Sequence, residues 1–255
     1  MGSKKKNKNG ADSKAEEKKS PVEVKAPETA KEWAVGWIKT IVIAVLIFFV
    51  LRTSLIGAFH ITSGSMEPTL LVGDVLFVNK TIYGSRLPLL PGRLPAFRDP
   101  RRGDIVVFES VETKNLNVVK RLVGVPGDTI EMRDNAVYVN GDPLDEPYAI
   151  FLEDPRDPMN ENMARWQTPY LVETEGDREM PTQKNWGPLV VPPDSFLAMG
   201  DNRDSSYDGR WWGFLGKDRI MGRAVIIYYS FDKNGILPLP FFTAIRWRRL
   251  FSFIR

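Results

Sequence analysis

The 255-residue chain has no cysteine and a single histidine, His60. Without cysteine, disulfides, thiol nucleophiles and cysteine-ligated metals are excluded. One histidine is too few for a histidine-rich metal site. An excess of charge of one sign is also confined to the first residues. Residues 1–32 carry nine lysines and six acids and account for the net charge of +3. The rest of the chain is neutral, so nothing in its charge points to nucleic acid as a partner. The opening segment has almost no large apolar residue before Trp33. It cannot bury enough surface to offset its ordering entropy, and is expected to be a disordered cytoplasmic tail.

Long apolar runs are rare as well, with one exception. Residues 33–51 read WAVGWIKTIVIAVLIFFVL, with Lys39 as the one charge. That length is near the ~20 residues a helix needs to cross a bilayer, and Trp33 and Trp37 suit the interface. Residues 33–52 are therefore expected to form a transmembrane helix. The lysines precede it and, after Arg52, the next basic residue is Lys80. The positive-inside rule then puts the N-terminus in the cytoplasm and everything after Arg52, including the domain at 53–240, outside. A cleaved signal peptide or a buried core helix are the competing readings.

Beyond residue 60 the pattern is β. Short runs rich in Val, Ile, Phe and Tyr recur at 74–80, 103–110, 117–124, 128–132, 136–141, 195–200 and 219–230. Turn residues bound them, and Asp134-Asn135 reads as a hairpin turn. The expected fold is mainly β, a partly closed barrel or sandwich. Residues 86–100, with four prolines, are expected as a loop. Residues 141–188 are polar and proline-rich and read as a small inserted subdomain.

The segment ITSGSMEPTL, residues 61–70, carries Ser63 and Ser65 around Gly64. A serine hydroxyl is a weak nucleophile and needs a base. His60 reads as an interfacial or loop residue. Lys120 is the other candidate, flanked by Val118, Val119, Leu122 and Val123. A lysine desolvated among apolar side chains loses affinity for its proton and can act as a base near neutral pH. Arg121 cannot, because guanidinium stays protonated. A strand lysine more commonly faces water, and pattern alone does not separate the two readings.

SGSMEPTL, GDVLFVNK, RGDIVVF, VVKRLVGVPGD and GDNRDSSYDGRWWGF, in that order and spacing, resemble the conserved boxes of bacterial type I signal peptidases (leader peptidases). The resemblance runs from the apolar span to about residue 230. It implies a membrane-anchored serine endopeptidase that removes signal peptides from exported preproteins with a Ser/Lys dyad and no metal or other cofactor. Position by position, it makes Ser65 the nucleophile and Lys120 the general base. Ser63 would complete an oxyanion hole beside the Ser65 N–H. Ser206 would hydrogen-bond and orient the lysine amine, and Asp208 and Arg210 would form a supporting ion pair. Residues 200–204 would build the turn that holds Ser206. The chain departs from the pattern in having one clear span where some members have two, and a shorter insertion than the largest members.

The resemblance also implies small side chains one and three residues before the cut, with Phe59, Leu70 and Val119 as candidate pocket walls. A soluble self-cleaving repressor with the same dyad would carry a DNA-binding helix-turn-helix, which the N-terminal region does not. A non-catalytic membrane-tethered β module remains the alternative. Finally, Trp247, Leu250, Phe251 and Ile254 fall at i, i+3, i+4 and i+7 within 241–255, a segment with four arginines and no acid. This predicts a basic amphipathic helix, lying in the bilayer interface or packed on the β domain.

Overall fold

The computed structural model describes residues 30–54, 56–84, 95–152, 156–172, 179–235 and 239–254. The expected tail up to residue 29, and most of the expected loop at 86–100, lie outside these residues. The chain divides into two units, residues 1–46 and 47–255. Helix α1 (Ala30–Ser54) has 25 residues. Its apolar side chains from Trp33 to Phe49 are exposed on every face, as in a helix whose surroundings are themselves apolar. Among the described residues no helix is long and apolar enough to cross a membrane. The side chains described in α1 end at Phe49, whereas the apolar sequence continues to Leu51.

The second unit is mainly β. Its strands are β1 (Ile56–His60), β2 (Asp74–Asn79), β3 (Ile105–Glu109), β4 (Asn117–Gly124), β5 (Thr129–Arg133) and β6 (Ala136–Val139). β7 (Asp142–Pro143), β8 (Trp186–Val190), β9 (Ser195–Met199), β10 (Leu215–Gly216), β11 (Ile220–Ser230) and β12 (Ser252–Phe253) follow. The larger antiparallel sheet has the order β1-β2-β11-β3-β4-β9-β10, with β12 on β11, and the smaller is β7-β6-β5-β8. Neither sheet closes into a barrel among the described residues. The seven runs expected from alternation correspond to β2–β6, β9 and β11. Asp134 and Asn135, at φ 48° and 68°, make the tight turn between β5 and β6 that matches the strand twist.

Two expectations change. The insertion at 141–188 is only part of the smaller sheet, which begins with β5 at Thr129 and ends with β8 at Val190. The alternation of a hairpin does not reveal which sheet it joins. The C-terminal helix is also not formed. A single helical turn, Pro240–Thr243, is followed by a 3-10 turn at Trp247–Arg249 and by β12. β3 pairs with β11 only as far as Arg223, and β12 pairs with Ile226 and Ile227 further along. Sheet hydrogen bonds to β11 outweigh a short helix with a costly nucleus. The four apolar residues consequently part company: Ile254 enters the core, Leu250 is half-buried, and Trp247 and Phe251 are exposed.

β4 positions the site. One edge pairs with β3 along Asn117–Arg121. The other pairs with β9 only from Arg121 to Gly124, so Asn117–Lys120 has no strand partner on that side among the described residues. Val119 packs with Phe59 on a core cluster containing Ile61, Met66, Leu70 and Leu76. Val118 packs on a different cluster, with Phe108 and Trp212.

Candidate active site

After β1 the chain turns through residues 61–73 before β2. The turn is closed by its own backbone: Ile61 N–H donates to Asp74 O at 2.8 Å and Gly73 N–H to Ile61 O at 3.0 Å. Met66 and Leu70, both buried, root it in the core. This fixes Ser65 opposite β4. Lys120 Nζ donates to Ser65 Oγ at 2.6 Å, and Lys120 is only 3% exposed. Burial strips hydration from the ammonium and lowers its pKa below the usual lysine value. Asp208 pulls in the opposite direction, Arg210 adds to the lowering, and the net shift is downward.

Ser63 Oγ lies 3.4 Å from Ser65 Oγ. The Ser65 N–H is not engaged in any of the turn's backbone hydrogen bonds. His60 is turned elsewhere, its ring stacked on Phe231 at 5.8 Å. Phe59 and Val119 pack on the cluster that contains Met66, the residue after Ser65, and Leu70 is wholly inside it.

Ser206 comes to the same place, but the expected bond to the lysine amine is not made. Its Oγ is buried without a hydrogen-bond partner. It sits against Gly200, where an added Cβ would lie 2.2 Å from Ser206 Oγ and 2.4 Å from Ser65 O. It is close enough to Asp208 to favour the carboxylate there, without a bond of ordinary geometry. Asp208 is wholly buried and accepts from Arg210 Nε at 2.9 Å and from Gly200 N–H at 2.9 Å. Burial would raise its pKa, but the Arg210 charge and these bonds hold it below the usual carboxylate range.

Residues 200–204 do more than form a turn. Arg121, beside Lys120, makes a two-pronged pair with Asp201, Nε to Oδ1 at 2.8 Å and Nη2 to Oδ2 at 2.7 Å. Its guanidinium lies 3.7 Å over the Tyr148 ring. Thr69 Oγ1 donates to Asp201 Oδ2 at 2.5 Å, which ties the serine turn to the lysine strand. Asn202 N–H donates to Ser65 O at 3.2 Å, and Arg203 pairs with Glu146 at 2.6 Å.

The C-terminal segment supplies a second hold that sequence reasoning missed. Arg249 Nη2 donates to Thr69 O at 2.8 Å and to Asp74 Oδ2 at 2.6 Å. The wholly buried Asp74 carboxylate also accepts from Leu71 N–H at 2.8 Å and Ser230 Oγ at 2.6 Å. Arg246 Nη1 donates to Val72 O at 2.8 Å. Pairs so distant in sequence leave no periodic trace, and no signal would have found them. Arg249→Gln leaves the Asp74 carboxylate buried without its cation. We expect a loss of about 2 kcal/mol, partly exposed arginine considered, read as a lowered Tm together with slower turnover. An unchanged Tm and rate would show that the segment does not hold the turn.

Among the described residues no group of three or more His, Asp or Glu side chains is placed to hold a metal ion. Comparison with known proteins gives a consistent result. The family model "Signal peptidase, peptidase S26" matches residues 34–229. Signal peptidase I of Pseudomonas aeruginosa is 35% identical over 214 residues, covering 78% of this chain and 74% of that protein. Signal peptidase I T of Bacillus subtilis is 34% identical over 220 residues, covering 86% and 96%. A crystal structure of a signal peptidase I from Enterococcus faecalis, 30% identical, covers 49% of this chain and 97% of its own, with a TM-score of 0.34.

Proposed function

The chain belongs to the signal peptidase family S26 of serine peptidases, and on that premise we propose that it cuts signal peptides from exported preproteins, with Ser65 as nucleophile and Lys120 as general base. The observation that carries the assignment of roles is the 2.6 Å contact between Ser65 Oγ and a lysine amine shut away from water.

In the neutral form the Lys120 amine accepts the Ser65 proton as Oγ attacks the scissile carbonyl. The charge that develops on the carbonyl oxygen is met by the Ser65 N–H and the Ser63 hydroxyl. The resulting Lys120 ammonium returns the proton to the leaving amine, and the signal peptide stays behind as an ester on Ser65. Lys120 then takes a proton from water, which attacks the ester, and returns that proton to Ser65 Oγ as the C–O bond breaks, so that both the serine and the neutral amine are restored. Asp208 is held ionised by Arg210 and keeps a fixed charge near the lysine.

The substrate adds as a strand along the unpaired Asn117–Lys120 edge. Side chains one and three residues before the cut then face the Val119 and Phe59 side, where these apolar side chains pack on the core cluster. α1 holds the chain in the cytoplasmic membrane, with the catalytic unit on its outer face; the apolar surface of the helix and the N-terminal lysines support this.

The test uses the full-length protein in liposomes and a model preprotein with alanine at both positions. Wild type should float with the vesicles and cut, and Ser65→Ala should be slower by about 10³-fold or more. Leucine at both substrate positions should abolish cutting. Undiminished cleavage by Ser65→Ala would favour a non-catalytic module with a contaminating protease. Equal cleavage of the leucine substrate would remove the pocket model.

A further inference from the structure

Tyr207 stands between Ser206 and Asp208, both buried, yet it is 58% exposed. The dyad chemistry gives it no task. Its ring stacks on Trp211 at 6.1 Å with 23° between planes, and its hydroxyl donates to Glu112 Oε1 at 2.9 Å. Glu112 belongs to the turn between β3 and β4, at residues 110–116. The side chain of Ser206 is near Ser65 O, since both crowd the same point above Gly200. The tyrosine therefore reaches from the dyad to the β3–β4 turn. The unpaired Asn117–Lys120 edge lies between these points and is roughly 10 Å long at ~3.3 Å per residue.

We propose that Tyr207 is the wall of the subsite for the side chain two residues before the cut, and that this subsite selects aromatic side chains and arginine through the tyrosine ring and Glu112. The inference rests on strand addition as described above. Successive side chains of an added strand point to opposite faces. Those one and three residues before the cut share the Val119 side, so the one between them faces the Val118 side. Val118 belongs to the cluster of Phe108 and Trp212; Trp211, the neighbour of Trp212 in the short turn Gly209–Trp212, packs on the other cluster, with Val123 and Leu197, and carries the Tyr207 ring. The half-exposed ring offers a flat apolar face for stacking and a site for a cation. The Glu112 carboxylate at its edge favours a guanidinium and repels an acid.

The experiment measures kcat and KM for peptides with alanine one and three residues before the cut and Gly, Phe, Arg or Asp between them. In the wild type, kcat/KM for the Phe and Arg peptides should exceed that for the Asp peptide at least tenfold, mainly through KM. In Tyr207→Ala the ratios of Phe to Gly and of Arg to Gly should fall to near one, whatever the absolute rates. Tyr207→Phe should keep the Phe preference, and Glu112→Gln should lose only the Arg preference. Destabilisation alone lowers all peptides together and leaves the ratios intact. Unchanged ratios in Tyr207→Ala overturn the proposal. The Gly peptide with Ser65→Ala as control reports separately on whether the site is the peptidase site at all.

Discussion

Lys120→Met should lower signal-peptide cleavage by about 10³-fold or more, within the range that general-base removal costs, while leaving the fold intact. Methionine reproduces the apolar stem without the amine, in a site that is 3% exposed. Lys120→Arg should be equally inactive, because a guanidinium does not give up its proton. The wild-type rate should rise with pH. The base must be neutral, and burial sets its pKa below the usual lysine value, so activity appears on the acid side of where an exposed lysine would deprotonate and then levels off. Stability follows the same sign. The unfolded chain, with its higher lysine pKa, binds more protons between the two pKa values, so the lysine weakens the fold below that window and the cost fades as pH rises through it. Lys120→Met escapes this cost and should be at least as stable as wild type near neutral pH. Cleavage rates between pH 5 and 10 and thermal unfolding of both proteins check these points. An active methionine variant, or a wild-type rate indifferent to pH, would remove Lys120 from the chemistry.

Ser65 and Lys120 are legible as a pair only through the family's boxes, and the fold brings their side chains to 2.6 Å. The β4 run reads as an apolar strand interrupted by Lys120 and Arg121, but that pattern does not say which way the lysine faces. Their burial is explained by partners the sequence holds far away, Ser65 for one and Asp201 for the other. The strands that escaped notice have local causes. β1 follows directly on the apolar run, and β8 contains a glycine and a proline, which ordinarily argue against a strand. The C-terminal segment misled for a different reason. Trp247, Leu250, Phe251 and Ile254 have helical spacing, but Arg246 and Arg249 are drawn to carbonyls of the serine turn and β12 is drawn to an open stretch of β11. These attractions depend on what the rest of the chain has already built. Ser206 shows the limit of position-by-position transfer. The residue arrives beside the dyad, yet its hydroxyl makes no bond to the lysine.

Gly200→Ala should lower kcat by about 10² or more, the scale expected when a reacting group is misplaced by about 1 Å. Gly200 follows β9 directly, and its backbone is held on both sides. Its N–H donates to Asp208 Oδ2 at 2.9 Å, and its carbonyl accepts from Arg203 Nε at 3.0 Å. A methyl group there would meet Ser206 Oγ at 2.2 Å, Ser65 O at 2.4 Å and Ser206 Cβ at 2.5 Å. The Ser206 hydroxyl can rotate away, but Ser206 Cβ and Ser65 O cannot, and the latter is the backbone of the nucleophile itself. Because buried Asp208 and Arg203 anchor Gly200, the serine turn is the part that yields. Ser65 then leaves its place opposite Lys120, and kcat falls more than KM, since the substrate edge of β4 is untouched. The overpacking should also cost about 1–3 kcal/mol of stability, visible as a lower Tm. Adding Ser206→Ala separates the two contacts. It removes the hydroxyl but leaves Ser65 O in the way, so the double variant should stay slow. Full recovery of turnover in the double variant would show that Ser206, and not displacement of the nucleophile, carries the effect.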